Sequence, residues 1–468
     1  MNRITIIGGG ITGLTAAYYL HKKLAESNIP NEITLIEAKN RLGGKIETYR
    51  KDGFTIERGP DSFLIRKQSA ERLARDIGIG DKLVTNGTGK SYILVNNKLH
   101  QMPQGSFMGI PTQVKPFLYS NLFSLQGKLR AGFDFILPKC KAQEDQSLGL
   151  FFRRRFGDEL VENLIEPLLS GIYAGDIDDL SLMATFPNFY QLEQKHRSLV
   201  KGLQQTMPKP NKQGKKKPSM FYSLEGGLQS LVDGLESKLD SIHVKKNTCV
   251  KKIEKSNSTY QLHLDDGTKL ESDIVIVTSP FYSLKKMLGS YDFIQTYPNQ
   301  KATSVANVAL AFDRSAIKQD IDGTGFVVSR NSEYRITACT WTHKKWPNTT
   351  APEDMALLRC YVGRPGDENV VEMSDEMLEK LVLHDLNKIM KIEGKPKFSV
   401  VSRWKDAMPQ YSVGHKQFVD RLENELKTHL PSLYVAGSSY RGIGIPDCID
   451  QAEQVVETIV DQMKQQQV

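Results

Sequence analysis

A short apolar strand pattern, Ile4-Thr5-Ile6-Ile7, runs straight into Gly8-Gly9-Gly10-Ile11-Thr12-Gly13. Behind it Leu14, Ala17, Tyr18, His21 and Leu24 recur at helical spacing. A turn then leads to a second apolar run, Ile33-Thr34-Leu35-Ile36, closed by Glu37. Strand, glycine turn, helix, strand and acidic residue in that order predict a βαβ unit that holds a dinucleotide. Gly8 permits the tight turn, Gly10 lets a pyrophosphate reach the backbone, and Gly13 lets helix and strand approach closely. The free N–H groups and positive end of the helix attract the diphosphate, and Glu37 accepts hydrogen bonds from ribose hydroxyls.

Which dinucleotide follows from two further segments. Glu37 continues through Ala38 into Arg41-Leu42-Gly43-Gly44-Lys45, a second glycine turn flanked by cations where a long diphosphate ligand needs another backbone contact. A nicotinamide enzyme does not need this pair, and no second Gly-x-Gly-x-x-Gly follows for NAD(P). At the far end, Gly442-Ile443-Gly444-Ile445-Pro446-Asp447 bares backbone at a helix start, where it would stabilise negative charge on a reduced flavin. By itself that segment is equally a turn with an N-cap Asp; together with the N-terminal motif it points to FAD.

The 468 residues exceed what one hydrophobic core serves, so more than one domain is expected. Leu433-Tyr434-Val435-Ala436-Gly437 reads as a strand, and Asp447 precedes a helix with Ile449, Ala452, Val456, Ile459 and Met463 on its apolar face. Strand and glycine turn at both ends suggest one cofactor domain with other material inserted between. Residues 205–219 have the composition of a solvated loop and mark a domain crossing. Residues 256–277 read as a hairpin, Tyr260–Leu264 turning at Asp265-Asp266-Gly267 into Asp273–Val277. From Phe107 to Leu137, Phe117, Leu122, Phe123, Leu129, Phe133 and Ile136 with scattered lysines predict amphipathic helix, read as a subdomain packing on itself in preference to a membrane-docking face.

The net charge of +8 is partly local, with Lys209, Lys212, Lys215, Lys216 and Lys217 in one loop. This balance suits an anionic small molecule or an acidic membrane surface; without aromatic-basic interleaving it does not indicate nucleic acid. Cys140, Cys249, Cys339, Cys360 and Cys448 are odd in number and scattered, which predicts reduced thiols and neither a disulfide framework nor a metal site. A strand at the very start leaves no room for a signal peptide, and no apolar run is long enough to span a bilayer. The expectation is a cytoplasmic protein with at most peripheral membrane contact.

Four strings together carry a resemblance: Arg41-x-Gly43-Gly44-Lys45, Glu57-Arg58-Gly59-Pro60-Asp61-Ser62, Gly171-Ile172-Tyr173-Ala174-Gly175-Asp176 and Gly442-Ile443-Gly444-Ile445-Pro446. With Glu162–Ser170 and Ser329-Arg330-Asn331, they make the chain resemble, over essentially its whole length, the FAD-dependent porphyrinogen oxidases, in particular the Gram-positive coproporphyrinogen III oxidase/protoporphyrinogen oxidase family. The resemblance implies an α/β fold of flavin hydroxylase/amine oxidase type. A discontinuous Rossmann-like FAD domain would comprise residues 1–48, 220–282 and 405–468. A mixed α+β substrate domain would comprise 49–90, 170–219 and 283–404, and a helical domain 91–169. It implies FAD contacts at Gly8, Gly9, Gly10, Ile11, Thr12, Gly13, Glu37, Ala38, Arg41, Gly43, Gly44, Lys45, Gly59, Pro60, Asp61, Ser62, Val250, Trp404, Ile443, Gly444 and Ile445. Val250 read alone is equally a plain strand valine.

The implied chemistry is hydride transfer from a methylene bridge of coproporphyrinogen III to flavin N5. Pyrrole protons leave to solvent, O₂ reoxidises the flavin with release of H₂O₂, and repeated rounds give coproporphyrin III in haem biosynthesis, with a ferrochelatase downstream. No protein nucleophile or metal is required, so the chain's task is orientation and electrostatics. By position in the family, Lys67 is a rim cation for a propionate, and Ile172 and Tyr361 face the macrocycle; read alone, Lys67 is a solvated surface lysine. Protoporphyrinogen IX is the alternative substrate, and the basic excess leans toward the more anionic one. An amine oxidase shares the fold, but its C-terminal turn carries aromatics where this one reads Gly-Ile-Gly-Ile-Pro. A non-catalytic protein like the GDP-dissociation inhibitors would not need both glycine sets.

Overall fold

The computed structural model describes residues 2–140, 145–206 and 219–465. Strand β1 (Asn2–Ile7), helix α1 (Ile11–Glu26) and strand β2 (Asn31–Ile36) form the predicted βαβ unit. β1 and β2 pair in parallel within a five-stranded sheet of order 243–245, β2, β1, 274–277, 433–435, every pair parallel. Such strands are covered on both faces, which is why they read as continuous apolar runs. Ile4, Ile6, Ile33, Leu35 and Ile276 face one layer, formed by α1 and the helix Ile445–Gln465. Ile7, Ile36, Val275 and Val277 face the other, where Ile253 and Leu262 of an antiparallel sheet and Leu422 of the helix His415–His429 lie. The α/β assignment and its discontinuity hold: the strands come from the two ends and the middle of the chain.

The predicted hairpin at 256–277 is corrected. Thr259–Leu264 turns back through Lys269–Ser272, and Ile274–Val277 leaves to become the neighbour of β1. Ile-Val-Ile-Val lacks the apolar/polar alternation of a half-exposed hairpin strand, and its doubly buried place explains that. The C-terminal helix buries Ile449, Ala452, Val456, Ile459 and Met463 as expected. It begins at Ile445, so Asp447 lies in its first turn instead of before it.

A seven-stranded sheet runs in the order 398–409, 302–313, 355–362, 336–341, 325–328, 92–95, 98–101. All its pairs are antiparallel except 325–328 with 92–95. Its central strands carry two polar side chains that the apolar pattern does not call for, Asn307 and Arg359, both buried.

The segment 107–137 is helical in pieces, Val114–Tyr119 and Leu125–Gly132, broken where Ser124 caps the second piece by accepting from the Gly127 N–H. Phe117, Leu122, Phe123 and Ala131 join the core built on Phe151, Phe152 and Phe156. Self-packing does not account for the rest: Leu129, Phe133 and Ile136 point outward with Val114, Leu118, Tyr119 and Leu125. Of the predicted crossing loop, residues 207–218 with their five lysines lie outside the described residues. The five cysteines form no disulfide, and among the described residues no helix is long and apolar enough to cross a membrane.

Candidate active site

The two glycine turns meet back to back. The Gly43 N–H donates to Gly9 O at 2.8 Å, and Gly10 and Gly43 form an isolated parallel bridge. Gly8 sits at φ +112°, and a Cβ on Gly13 would fall 1.9 Å from Gly8 O, so each glycine is required by its own geometry. Gly10 is different. Its backbone (φ −74°, ψ 179°) suits any residue, and the nearest atom to a Cβ there is Gly44 Cα at 3.9 Å. What Gly10 keeps is open space over the N-terminus of α1. That terminus is buried, yet no side chain among the described residues caps it and its first turn holds no acid. A buried, uncapped helix start calls for an external acceptor, and a diphosphate fits it.

Glu37, also buried, accepts from the Gly9 N–H at 2.7 Å and the Lys39 N–H at 2.8 Å. It therefore braces the turn from the edge of the cavity. Arg41 departs from expectation: its guanidinium donates to the carbonyls of Leu42, Gly44 and Ile46 and pairs with Glu47 at 2.7 Å. It shapes the second glycine turn from behind and does not line the cavity.

The segment Gly59–Ser62 is pinned to the seven-stranded sheet. Trp404 Nε1 (2.7 Å) and Asn307 Nδ2 (2.8 Å) both donate to Arg58 O, and Arg359 Nη2 donates to Gly59 O at 2.8 Å. Asp61 lies 2.8 Å from Lys345 Nζ and 3.6 Å from Arg359 Nη1. Burial opposes its ionisation, but the Lys345 and Arg359 charges outweigh that and hold its carboxyl well below the usual range. Arg359, fully buried, lies with its guanidinium carbon 5.4 Å from the Tyr361 ring centroid. Burial pushes the Tyr361 phenol up.

At the C-terminal turn the expectation changes in one respect. The Gly442 N–H donates to Tyr411 Oη at 2.8 Å, and the Gly444 N–H to Asp447 Oδ2 at 3.2 Å, so these two amides are engaged within the protein. Asp447 also pairs with Lys67. Lys67 lines the cavity but is not an unpaired cation: it ties the loop after Phe63–Leu64 to the start of the C-terminal helix.

All these features face one continuous cavity of about 1620 Å³. Of the residues expected from sequence, all line it except Gly9, Gly13 and Arg41, which build its floor from behind. Pockets for a single small ligand run to roughly 300–1,000 Å³, so this one has room for a dinucleotide and a second large molecule. Sequence reading missed Asn307, Glu166, Arg66 and Arg364, which line the same cavity. A polar or charged residue inside an apolar strand run was the available signal for Asn307 and for Arg359. Glu166 lies 3.8 Å from Arg330, which pairs with Asp176 at 3.0 Å. Burial raises the Glu166 carboxyl to about 7 in spite of the Arg330 charge.

The family described as flavin containing amine oxidoreductase matches residues 11–460. A coproporphyrinogen III oxidase of Bacillus subtilis (strain 168) is 55% identical over 455 residues, which is 97% of each chain. One from Staphylococcus aureus (strain NCTC 8325 / PS 47) is 44% identical over 467 residues, 98% of this chain and 99% of that one. A crystal structure from Exiguobacterium sp. 255-15, assigned as a protoporphyrinogen oxidase, has TM-score 0.87 at 40% identity, covering 98% of this chain and 99% of the other.

Proposed function

We propose, on the premise that this chain belongs to the flavin containing amine oxidoreductase family, that it is an FAD-dependent oxidase of coproporphyrinogen III. It aromatises that substrate to coproporphyrin III with O₂ as acceptor and H₂O₂ as by-product, as a step of haem biosynthesis. The observation that carries this reading is the cavity of about 1620 Å³, which joins an anion-binding glycine cradle to a wall rich in arginine and lysine. The names of the relatives at 55% and 44% identity supply the substrate.

Bound FAD supplies the two-electron acceptor and the reaction with O₂. The chain does the rest. The start of α1, with Gly10 and Gly44, would hold the diphosphate, while Glu37 and Val250 would meet the ribose and adenine end. Gly59–Ser62, Trp404 and Ile443–Ile445 form the wall at the other end. Arg359 holds Gly59 O, Asn307 holds Arg58 O and Tyr411 Oη accepts from the Gly442 N–H, so the backbone beside that wall is fixed and would orient what binds there. Ile172 and Tyr361 offer apolar contact to the macrocycle. The five-stranded sheet carries the glycine cradle, and the seven-stranded sheet, through Trp404, Asn307 and Arg359, carries the wall that faces it. The product, a metal-free porphyrin tetracarboxylate, suits a metal-inserting ferrochelatase as the next enzyme.

The test is porphyrin fluorescence growth in air with coproporphyrinogen III and protoporphyrinogen IX in parallel, with H₂O₂ measured at about three per porphyrin formed. Faster turnover of protoporphyrinogen overturns the substrate. A protein that stays colourless when offered FAD overturns the class.

We further propose that the protein works in the cytoplasm with peripheral contact to a membrane. The support is the outward face of 114–136, where Tyr119 is 84%, Leu125 75% and Leu129 66% exposed. No acid lies between Ser106 and Phe133, while Lys115, Lys128 and Arg130 do. An apolar patch with basic neighbours suits an anionic lipid surface.

A further inference from the structure

The cavity carries more positive charge than its own carboxylates match. Arg58, Lys67, Arg330, Lys345, Arg403 and Lys405 are each ion-paired with an Asp or Glu. Lys39 and Lys45 belong to the dinucleotide end, beside Glu37 and Gly44. Arg66 and Arg364 remain. Both line the cavity, and neither side chain makes a hydrogen bond or ion pair among the described residues. Arg66 lies with its guanidinium carbon 5.9 Å from the Phe107 ring centroid, and Arg364 has only the distant influence of Glu166.

Their backbones, by contrast, are fixed. Arg66 sits between Ile65, whose N–H donates to Met220 O at 3.0 Å, and Lys67, which is paired with Asp447. Arg364 sits between Gly363 and Pro365. Gly363 has φ +95°, and a Cβ there would lie 2.6 Å from Ser304 O, so this turn leaves the sheet in one direction only. Two guanidinium groups that make no hydrogen bond or ion pair among the described residues, Arg66 exposed and Arg364 half-buried, thus stand on anchored backbone at a cavity large enough for a second ligand, where their forks match bidentate carboxylates.

We propose that Arg66 and Arg364 are the carboxylate anchors of the substrate, each taking one propionate of the macrocycle, in the place that Lys67 was expected to fill. This rests on the porphyrinogen reading of the cavity and adds to it which cations recognise the side arms. The already paired cations are poor candidates, because a propionate would have to displace a protein carboxylate from each of them.

The experiment uses the FAD-loaded protein and two probes, coproporphyrin III and its tetra-amide, which keeps the ring and removes the charge. Binding is followed by porphyrin fluorescence. Arg66→Leu and Arg364→Leu are each expected to weaken coproporphyrin III about tenfold or more. Both should leave the tetra-amide unchanged, with the flavin spectrum and melting temperature as in the parent protein. Arg364→Lys, which keeps the charge but not the fork, should fall between. For coproporphyrinogen III the loss should appear as a raised KM. Unchanged coproporphyrin binding in both Leu variants overturns the proposal, as does an equal loss for the tetra-amide, which would mark a packing role. If the parent protein neither binds coproporphyrin III nor oxidises its porphyrinogen, the functional reading itself has failed, and the variants are not needed to show it.

Discussion

Replacing Gly13 and Gly10 in turn by Ala separates the two duties of the glycine fingerprint. At Gly13 the new Cβ would stand 1.9 Å from Gly8 O and 2.9 Å from Thr278 Oγ1. A tolerable C···O contact is about 3.4 Å, so α1 must retreat from β1 by roughly 1.5 Å. Behind it Leu14, Ala16, Ala17 and Leu20 are wholly buried. Overpacking a tight core costs about 1–3 kcal/mol, and here the clashing oxygen is backbone that cannot rotate away. Alanine's advantage over glycine inside a helix returns about 1 kcal/mol. A net loss of up to about 2 kcal/mol follows, seen as a melting point lowered by a few degrees in the FAD-free protein. At Gly10 the new Cβ meets only Gly44 Cα at 3.9 Å, and the backbone conformation is open to Ala. The loss there is about 1 kcal/mol or less, from a poorer N-cap. Its methyl group instead occupies the space reserved for the diphosphate. Losing two charge-assisted bonds from the helix start, at about 1.5 kcal/mol each, weakens FAD about 100-fold. Circular-dichroism melting and quenching of flavin fluorescence measure the two effects. If Gly10→Ala binds FAD like the parent, or Gly13→Ala melts like it, the assignment of duties is wrong.

Glu57 makes a pH prediction. Burial raises its carboxyl to about 7 against 4.5 for the free group, although the Leu228 N–H and Thr48 hydroxyl both donate to it. Between those values the folded state binds more protons than the unfolded one, so this group's contribution to stability falls as pH rises through the window and is flat above it. Glu57→Gln should therefore melt higher than the parent at pH 8, by an equivalent of up to about 3 kcal/mol, with the gap closing near pH 5. Glu166 has the same sign and leaves part of the slope in place; a gap independent of pH would contradict the argument. For the outward face of 114–136, sedimentation with anionic vesicles is the measurement. Leu125→Glu with Leu129→Glu removes at least about 2 kcal/mol of apolar burial and should cut binding roughly 30-fold. No binding by the parent protein would end the membrane reading.

Much of the cofactor half was legible because its signals are local. A tight turn, a helix start and a closely approached strand each demand glycine within a few residues, and the apolar runs of β1 and β2 record burial on both faces. The C-terminal helix is recovered for the same reason: its apolar face repeats every third or fourth residue, whatever it lies against. Other features depend on partners distant in sequence. Ile274–Val277 looks like a hairpin arm until β1 and Leu433–Val435 come to its sides. The outward apolar face of 114–136 could not be told from an inward one, since amphipathicity shows that a helix has an apolar side but not what meets it.

Ion pairing marks the same limit inside the site. Lys67 finds Asp447 across 380 positions of chain, and Lys345 finds Asp61 across 284. Whether a lysine is a free cation or a neutralised brace depends on those encounters and on nothing in its own neighbourhood. The sequence by itself determined that this chain builds a diphosphate cradle of the FAD type, because that requirement is met by backbone conformation, which short windows of residues control. Only the tertiary structure decided which charges in the cavity remain unmatched, because electrostatic partners are set by proximity in space, and the fold alone brings Arg66 and Arg364 to the cavity without one among the described residues.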